Sequence, residues 1–303
     1  MEVSGDLFDI KHFSTHDGPG IRTTLFFSGC PLSCWWCHNP EGIFEEQIRL
    51  RDRYVLHHDQ KSCIQCGTCM AVCPSGAILL ENGQTQIDNN KCTGCGLCIN
   101  RCPGNAIYSL TKKYTISEIM KIVRKDAIFF KESGGGVTLS GGEPFYQSKF
   151  LFDLIHELRK DDIDVYVDTS GYFHSGLIER IEEVSLLFDL KLIDDTKHRK
   201  FTGVSNELIL KNLFKCDEKR INTVISIPLI PEINTGEDDV DQFIQIIVSL
   251  KNIKKIRLLQ YHDFAIGKYK KLGIPYKLKA LKKDEEQYNR IREIFIKNGI
   301  SLV

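Results

Sequence analysis

The feature that most constrains this chain is where its cysteines fall. Eleven of the twelve lie before residue 103, in three groups. Cys30, Cys34 and Cys37 are spaced C-x3-C-x2-C. Cys63, Cys66, Cys69 and Cys73 precede Pro74, and Cys92, Cys95, Cys98 and Cys102 precede Pro103. The last two groups share the spacing C-x2-C-x2-C-x3-C-P, and each is followed by a small residue and Ile (Ala77-Ile78, Ala106-Ile107), so the segment is an internal duplication. The opening MEVSGDLFDI lacks the basic and apolar regions of a secretory leader, and a cytoplasmic location is expected. A reducing compartment does not maintain structural disulfides, so thiols at this density point to metal or redox chemistry.

The duplicated spacing is that of a two-cluster ferredoxin run, in which the fourth cysteine of each run serves the other cluster. It predicts one [4Fe–4S] cluster on Cys63, Cys66, Cys69 and Cys102, and another on Cys92, Cys95, Cys98 and Cys73. A pair of four-cysteine zinc sites is the competing reading, disfavoured by three closely spaced cysteines followed by Cys-Pro. The first group differs in kind. Three thiolates hold three irons of a cubane and leave the fourth without a protein ligand, as a catalytic site requires. A zinc site completed by His38 is the alternative. Trp36, directly before Cys37, is placed either to stack on a planar ligand or to pack the loop.

A length of 303 residues suits roughly two domains. Forty basic residues balance forty acidic ones, which argues against nucleic-acid binding through bulk positive charge. No run is long and apolar enough to span a bilayer, so neither a nucleic acid nor a membrane is expected as partner. From about residue 112 helices and strands alternate. Thr115-x-x-Glu118 reads as a capping box opening a helix through about Lys131. A short strand, Val137 to Leu139, follows, then a helix over 148–160 and a strand ending at Asp168. Helices are expected near 175–184, 205–215, 239–250 and 283–298, with strands SLLFDLK, INTVISIPLIP and KKIRLLQYH between them. With IRTTLFFSG near the N-terminus this makes six strands, and the alternation predicts an α/β fold, a partial (β/α)6 barrel. Residues 1–50 and 111–303 are assigned to the barrel and 51–110 to an inserted two-cluster ferredoxin-like domain.

Active sites of such barrels lie at the carboxyl ends of the strands. There the sequence places the three-cysteine loop, Ser140-Gly141-Gly142-Glu143, Asp168-Thr169-Ser170-Gly171, Asp189-Leu190-Lys191 and Tyr261-His262. Each alone is an ordinary cap or turn; five on one rim predict a ligand site. Cys216 lies outside every motif and reads as a packing residue.

The ordered set Asp17-Gly18-Pro19-Gly20-Ile21-Arg22, Gly29-Cys30-x3-Cys34-x2-Cys37-His38-Asn39-Pro40, SGGE at 140–143, DTSG at 168–171, DLK at 189–191, TGVSNE at 202–207 and LLQYH at 258–262 resembles a radical S-adenosylmethionine (SAM) enzyme. More narrowly, it resembles the activating enzymes of glycyl radical enzymes, in the larger form with a ferredoxin insert. The resemblance implies three [4Fe–4S] clusters. The one on Cys30, Cys34 and Cys37 binds SAM by its open iron and cleaves it reductively. The resulting 5′-deoxyadenosyl radical takes hydrogen from a glycine of a partner glycyl radical enzyme. This is an oxidoreductase activity of the [glycyl radical enzyme]-activating type, and no side-chain acid or base is implied.

By the same resemblance Trp36, Cys37 and His38 line the adenine side, Gly142 approaches the methionine moiety, and Lys191 neutralises the SAM carboxylate. Asp189 and Leu190 flank it, His262 contacts the nucleoside, and Asp17 with its glycine turn receives the partner's glycine loop. Two positions depart from the family pattern: Ser226 replaces an Arg on the fifth strand, which puts more weight on Lys191, and Gln260 replaces a Pro. The ferredoxin pair is read as an electron relay from a flavodoxin or ferredoxin-type donor, with a docking module as the alternative. Rival readings are a radical SAM maturase of another peptide and a plain electron carrier. The early auxiliary cysteines speak against the first, and the three-cysteine loop against the second.

Overall fold

The computed structural model describes residues 3–43, 56–81, 83–88, 90–272, 274–278 and 281–303. Twelve strands are described: β1 (Ser4–Ser14), β2 (Arg22–Phe27), β3 (Leu56–His58), β4 (Ile78–Glu81), β5 (Gln84–Ile87), β6 (Ile107–Ser109), β7 (Lys112–Thr115), β8 (Gly136–Gly141), β9 (Asp164–Thr169), β10 (Ser185–Asp189), β11 (Thr223–Leu229) and β12 (Lys255–Gln260). Eight form one sheet in the order β12-β11-β10-β9-β8-β2-β1-β7. The six expected strands, β2 and β8 to β12, are parallel throughout. The inner strands β8, β10 and β11 are buried on both faces, which is why they read as apolar runs rather than alternations.

Two strands of this sheet were not expected. β1 runs antiparallel to β2, and β7 antiparallel to β1, extending the sheet beyond the six. Both are polar and half exposed, so no apolar run marks them. Only the long-range pairing makes them strands.

The helices follow apolar periodicity where it is strong. Ser148–Lys160, Glu207–Glu218, Glu237–Ser249 and Glu285–Lys297 fall where expected, and each buries an apolar stripe. The capping box is present: Thr115 Oγ1 accepts from the Glu118 amide at 3.2 Å and Glu118 Oε2 from the Thr115 amide at 2.8 Å. The helix it opens does not reach Lys131. It ends at Val123, and a 3₁₀ turn at Arg124–Asp126 separates it from Ala127–Ser133. The buried Asp126 explains the break: its carboxylate binds His12 Nδ1 at 2.5 Å and accepts from Thr23 Oγ1 at 2.6 Å, tying the turn to β1 and β2. The helix expected near 175–184 is a 3₁₀ turn, Ser175–Arg180, and the helix Asp195–Thr202 was not foreseen.

At the amino end of the parallel strands Arg22 is wholly buried. It donates to Thr138 Oγ1, to the Val137 carbonyl and to the Asp164 carboxylate, at 2.7–2.9 Å, and lies over the Tyr166 ring. It also donates to the Pro19 carbonyl at 3.1 Å, holding the Asp17–Gly20 turn to the sheet. Replacing Arg22 by Leu orphans these buried acceptors and should cost about 3 kcal/mol. Denaturant midpoints check this; a loss below about 1 kcal/mol would show that the network is dispensable.

Residues 56–109 carry two small antiparallel ladders, β3–β6 and β4–β5. The duplication is visible in the backbone. Gly67 and Gly96 open the two short helices Thr68–Val72 and Leu97–Arg101 at φ 71° and 72°, and Cys73 and Cys102 close them with the same dihedrals. The expected boundary at residues 50–51 lies outside the described residues. Among the described residues no helix is long and apolar enough to cross a membrane.

Candidate active site

The carboxyl ends of the parallel strands open into a cavity of about 460 Å³ lined by Cys30, Cys34 and Cys37. Each strand-end motif has a definite local job. The cysteine loop is held from outside by backbone bonds, Ser33 N to Thr202 O at 2.7 Å and Trp35 N to Phe201 O at 3.0 Å. The Ser-Gly-Gly-Glu turn is held from inside, by Gly142 N to Phe27 O and Glu143 N to Gly29 O, both 2.8 Å. A Cβ on Gly142 would sit 2.3 Å from the Gly29 carbonyl oxygen. This glycine is therefore required by the close approach of the turn to the cysteine loop, before any ligand is considered.

Glu143 is a strut rather than an acid. Buried, its carboxylate accepts from Thr169 Oγ1, the Ser170 amide and Ser170 Oγ, at 2.8, 2.8 and 2.5 Å. It thereby locks the turn after β8 to the turn after β9. Burial raises its pKa, although these donors oppose the shift.

Deeper in the cavity sit Asp168, Asp189 and Lys191. Lys191 Nζ donates to Asp189 Oδ2 at 2.6 Å, and Ser140 Oγ donates to Asp168 Oδ2 at 2.6 Å. Burial, then the neighbouring Asp189, push Asp168 up to about 7. Burial disfavours the Lys191 charge, but Asp189 and Cys34 outweigh it and hold the ammonium. The three thiols are raised, by burial first: Cys37 reaches about 12, and Cys30 is pushed well above the ordinary thiol value with help from Cys34 and Glu143.

Thiols raised in this way, beside one fixed cation, are a donor set whose thiolates a metal's charge would stabilise. Among the described residues no three His, Cys, Asp or Glu side chains close around a single-ion point.

Of the residues expected at the ligand, Trp36, Cys37, His38, Gly142, Asp189, Lys191 and His262 all line the cavity. His38 and His262 stack with ring centroids 4.1 Å apart. Burial, then His262, lower His38 to about 4, so the stack is neutral near pH 7. Trp36 both packs and lines: it is buried against a cluster with Leu32, Ile230 and Tyr261 and still borders the cavity. Leu190 is different. Its side chain is fully buried in the main core, and it is not among the cavity-lining residues. The two-residue alternation of a strand turns it away from the face that Asp189 and Lys191 share.

Asp168 lines the cavity, as its strand-end motif implied, whereas Arg257 was not foreseen there. Register pairs Arg257 on β12 with Ser226 on β11. Arg257 Nη2 donates to Ser226 Oγ at 2.9 Å and Nη1 to the His16 carbonyl at 2.9 Å, while its buried Nε has no partner among the described residues. Sheet pairing thus sets a guanidinium beside position 226, which no local spacing reveals. Asp17 also lines the cavity, its carboxylate accepting from Thr24 Oγ1 at 2.7 Å.

In the duplicated segment the fourth cysteines are exchanged. Cys102 lines one cavity with Cys63, Cys66 and Cys69. Cys73 lies with the other run: burial, then Cys92, Cys73 and Cys95, raise Cys98 to about 11. Cys216 is fully buried in the main core, as a packing residue should be.

The comparisons accord with this geometry. The Radical SAM superfamily model matches residues 89–245, a 4Fe-4S dicluster domain matches 56–103, and a 4Fe-4S single cluster domain matches 16–70. Fold and site together define an iron–sulfur radical SAM protein. The trans-4-hydroxy-L-proline dehydratase activating enzyme of Clostridioides difficile is 40% identical over 295 residues, 95% of each chain. The choline trimethylamine-lyase activating enzyme of Oleidesulfovibrio alaskensis is 38% identical over 290 residues, 92% of this chain and 91% of that one. The chain belongs to the activating enzymes of glycyl radical enzymes. A solved structure of Streptococcus suis SuiB bound to precursor peptide SuiA shares the fold, with a TM-score of 0.53 at 12% identity over 91% of this chain and 46% of that one.

Proposed function

We propose that this chain reductively cleaves SAM and uses the radical to activate one partner glycyl radical enzyme, as an oxidoreductase of the activating-enzyme type. The observation that carries the reading is that three thiols, Cys34 buried and Cys30 and Cys37 half-buried, face one cavity at the strand ends together with a fixed lysine. Cys30, Cys34 and Cys37 would hold a [4Fe–4S] cluster, which when bound would supply one electron for cleavage of SAM to methionine and a 5′-deoxyadenosyl radical able to take hydrogen from a glycine Cα of the partner.

The chain's own residues do the positioning. Lys191 meets the SAM carboxylate, with Asp189 holding its ammonium in place. Gly142 presents backbone to the methionine moiety, while Trp36, His38 and His262 supply the aromatic wall for adenine. Leu190 acts only by packing beneath Asp189 and Lys191. Asp17, with Arg257 tied to the neighbouring His16 carbonyl, faces the incoming glycine segment from the other end of the cavity.

Residues 51–110 form the inserted module, with two further clusters on Cys63, Cys66, Cys69 and Cys102 and on Cys92, Cys95, Cys98 and Cys73. The module relays electrons from a flavodoxin or ferredoxin-type donor. Cys95→Ala should slow reduction of the SAM-site cluster by at least about tenfold and leave SAM affinity intact. Stopped-flow reduction alongside SAM binding checks this, and unchanged kinetics would remove the relay.

The function itself is tested anaerobically. Reduced protein given SAM should release 5′-deoxyadenosine, and with its partner present should generate a glycine-centred paramagnetic doublet. Absence of 5′-deoxyadenosine from protein with full iron content would overturn the reading.

A further inference from the structure

The duplication supplies an internal control: each residue around one auxiliary cysteine set has a counterpart 29 positions away around the other. Where the backbone matches, side chains that differ do so within a common frame. Asp59 N donates to Ala106 O and Asp88 N to Ala77 O, both at 2.8 Å, so the frame is two-fold.

The set Cys63, Cys66, Cys69 and Cys102 has polar neighbours. Thr68 Oγ1 lies 3.3 Å from Cys66 Sγ, and Thr85 Oγ1 lies 3.9 Å from Cys63 Sγ. His58 lines the same cavity, and its buried Nδ1 has no partner among the described residues. The counterparts in the duplicated frame are apolar: Leu97 for Thr68, Ile87 for His58, Leu56 for Thr85. Cys73, Cys92 and the buried Cys98 pack in an apolar cluster with Leu56, Ile78, Ile87 and Ile107, which Cys69 alone of the first set also borders. Among the described residues Ser75 Oγ is a side-chain donor on that side, 3.6 Å from Cys73 Sγ. Backbone donors are close to even. Ala106 N and Ala77 N reach Cys102 and Cys73 at 3.2 and 3.3 Å, and Gly94 N adds one at 3.4 Å to Cys92.

Donors aimed at cluster sulfurs and exposure to solvent stabilise the more negative, reduced state and raise the potential; an apolar surround lowers it. We infer that the two auxiliary clusters are unequal, the one on Cys63, Cys66, Cys69 and Cys102 having the higher reduction potential, set by Thr68, Thr85 and His58. Each takes one electron from the external reductant, with no bond made or broken. The module is then a two-level store: the polar site fills first, and the apolar site carries the stronger reductant. This rests on the three-cluster reading of the preceding subsection.

The test is an anaerobic potentiometric titration of the reconstituted full chain, followed by electron paramagnetic resonance, beside iron analysis. Two resolved auxiliary reduction waves are expected. Thr68→Leu and His58→Ile should each lower the higher wave and leave the lower one in place. Leu97→Thr, at a half-exposed surface position that tolerates change, should raise the lower wave towards the other. Overlapping auxiliary waves, or Thr68→Leu moving the lower wave or neither, would overturn the assignment. Iron near that of a single cluster per chain would instead refute the three-cluster reading and take this inference with it.

Discussion

Cys34→Ala should abolish 5′-deoxyadenosine formation, by at least about a thousandfold, while the protein stays folded. The side chain is small and sits in a loop fastened by backbone bonds to Phe201 and Thr202, so its loss leaves the barrel core untouched. Its role is one sulfur in a set of three, and two thiols do not hold a cubane with an open iron. Iron per reconstituted chain should fall by about four atoms while the auxiliary clusters persist. Iron and sulfide analysis, circular dichroism and product chromatography read these together. Retained turnover above about one per cent would mean the cavity thiols are not the iron ligands.

Lys191→Met should weaken SAM binding by about 30- to 100-fold, the equivalent of about 2–3 kcal/mol for a lost charge-assisted hydrogen bond. The effect is large because the ammonium is buried and its charge is held by Asp189 at 2.6 Å. Removing it also leaves Asp189 unpaired beside Asp168, whose carboxyl is already pushed up by that neighbour. Lys191→Arg should rescue poorly, since a planar fork does not replace a compact point charge in a closed site. Isothermal titration with SAM under anaerobic conditions checks both. Equal affinity of the Met variant and the parent would assign the SAM carboxylate to another donor, with Arg257 next in line by position.

Much of the site was legible because its chemistry is written in short local spacings. A C-x3-C-x2-C loop and the ferredoxin runs carry their geometry with them, since a few backbone turns decide which sulfurs can meet. The inner parallel strands were legible for a related reason: strands covered on both faces must be apolar along their length. β1 and β7 were not, because an edge strand half exposed to water needs no apolar run and exists only through its partner. The helix after Thr115 was read too long, because its periodicity continues past the point where Asp126 is drawn to His12 and Thr23.

By itself the sequence determined which residues can bind iron, how many cysteines group together, and the order of strand-end motifs, since all of these are set by neighbours along the chain. The tertiary structure alone decided the rest. It turned Leu190 into the core, made Glu143 a strut between two turns, and required Gly142 for the approach to Gly29. It brought Arg257 across to Ser226. These depend on which strand lies beside which, and on the face a side chain takes once the sheet is paired, and no local spacing records either.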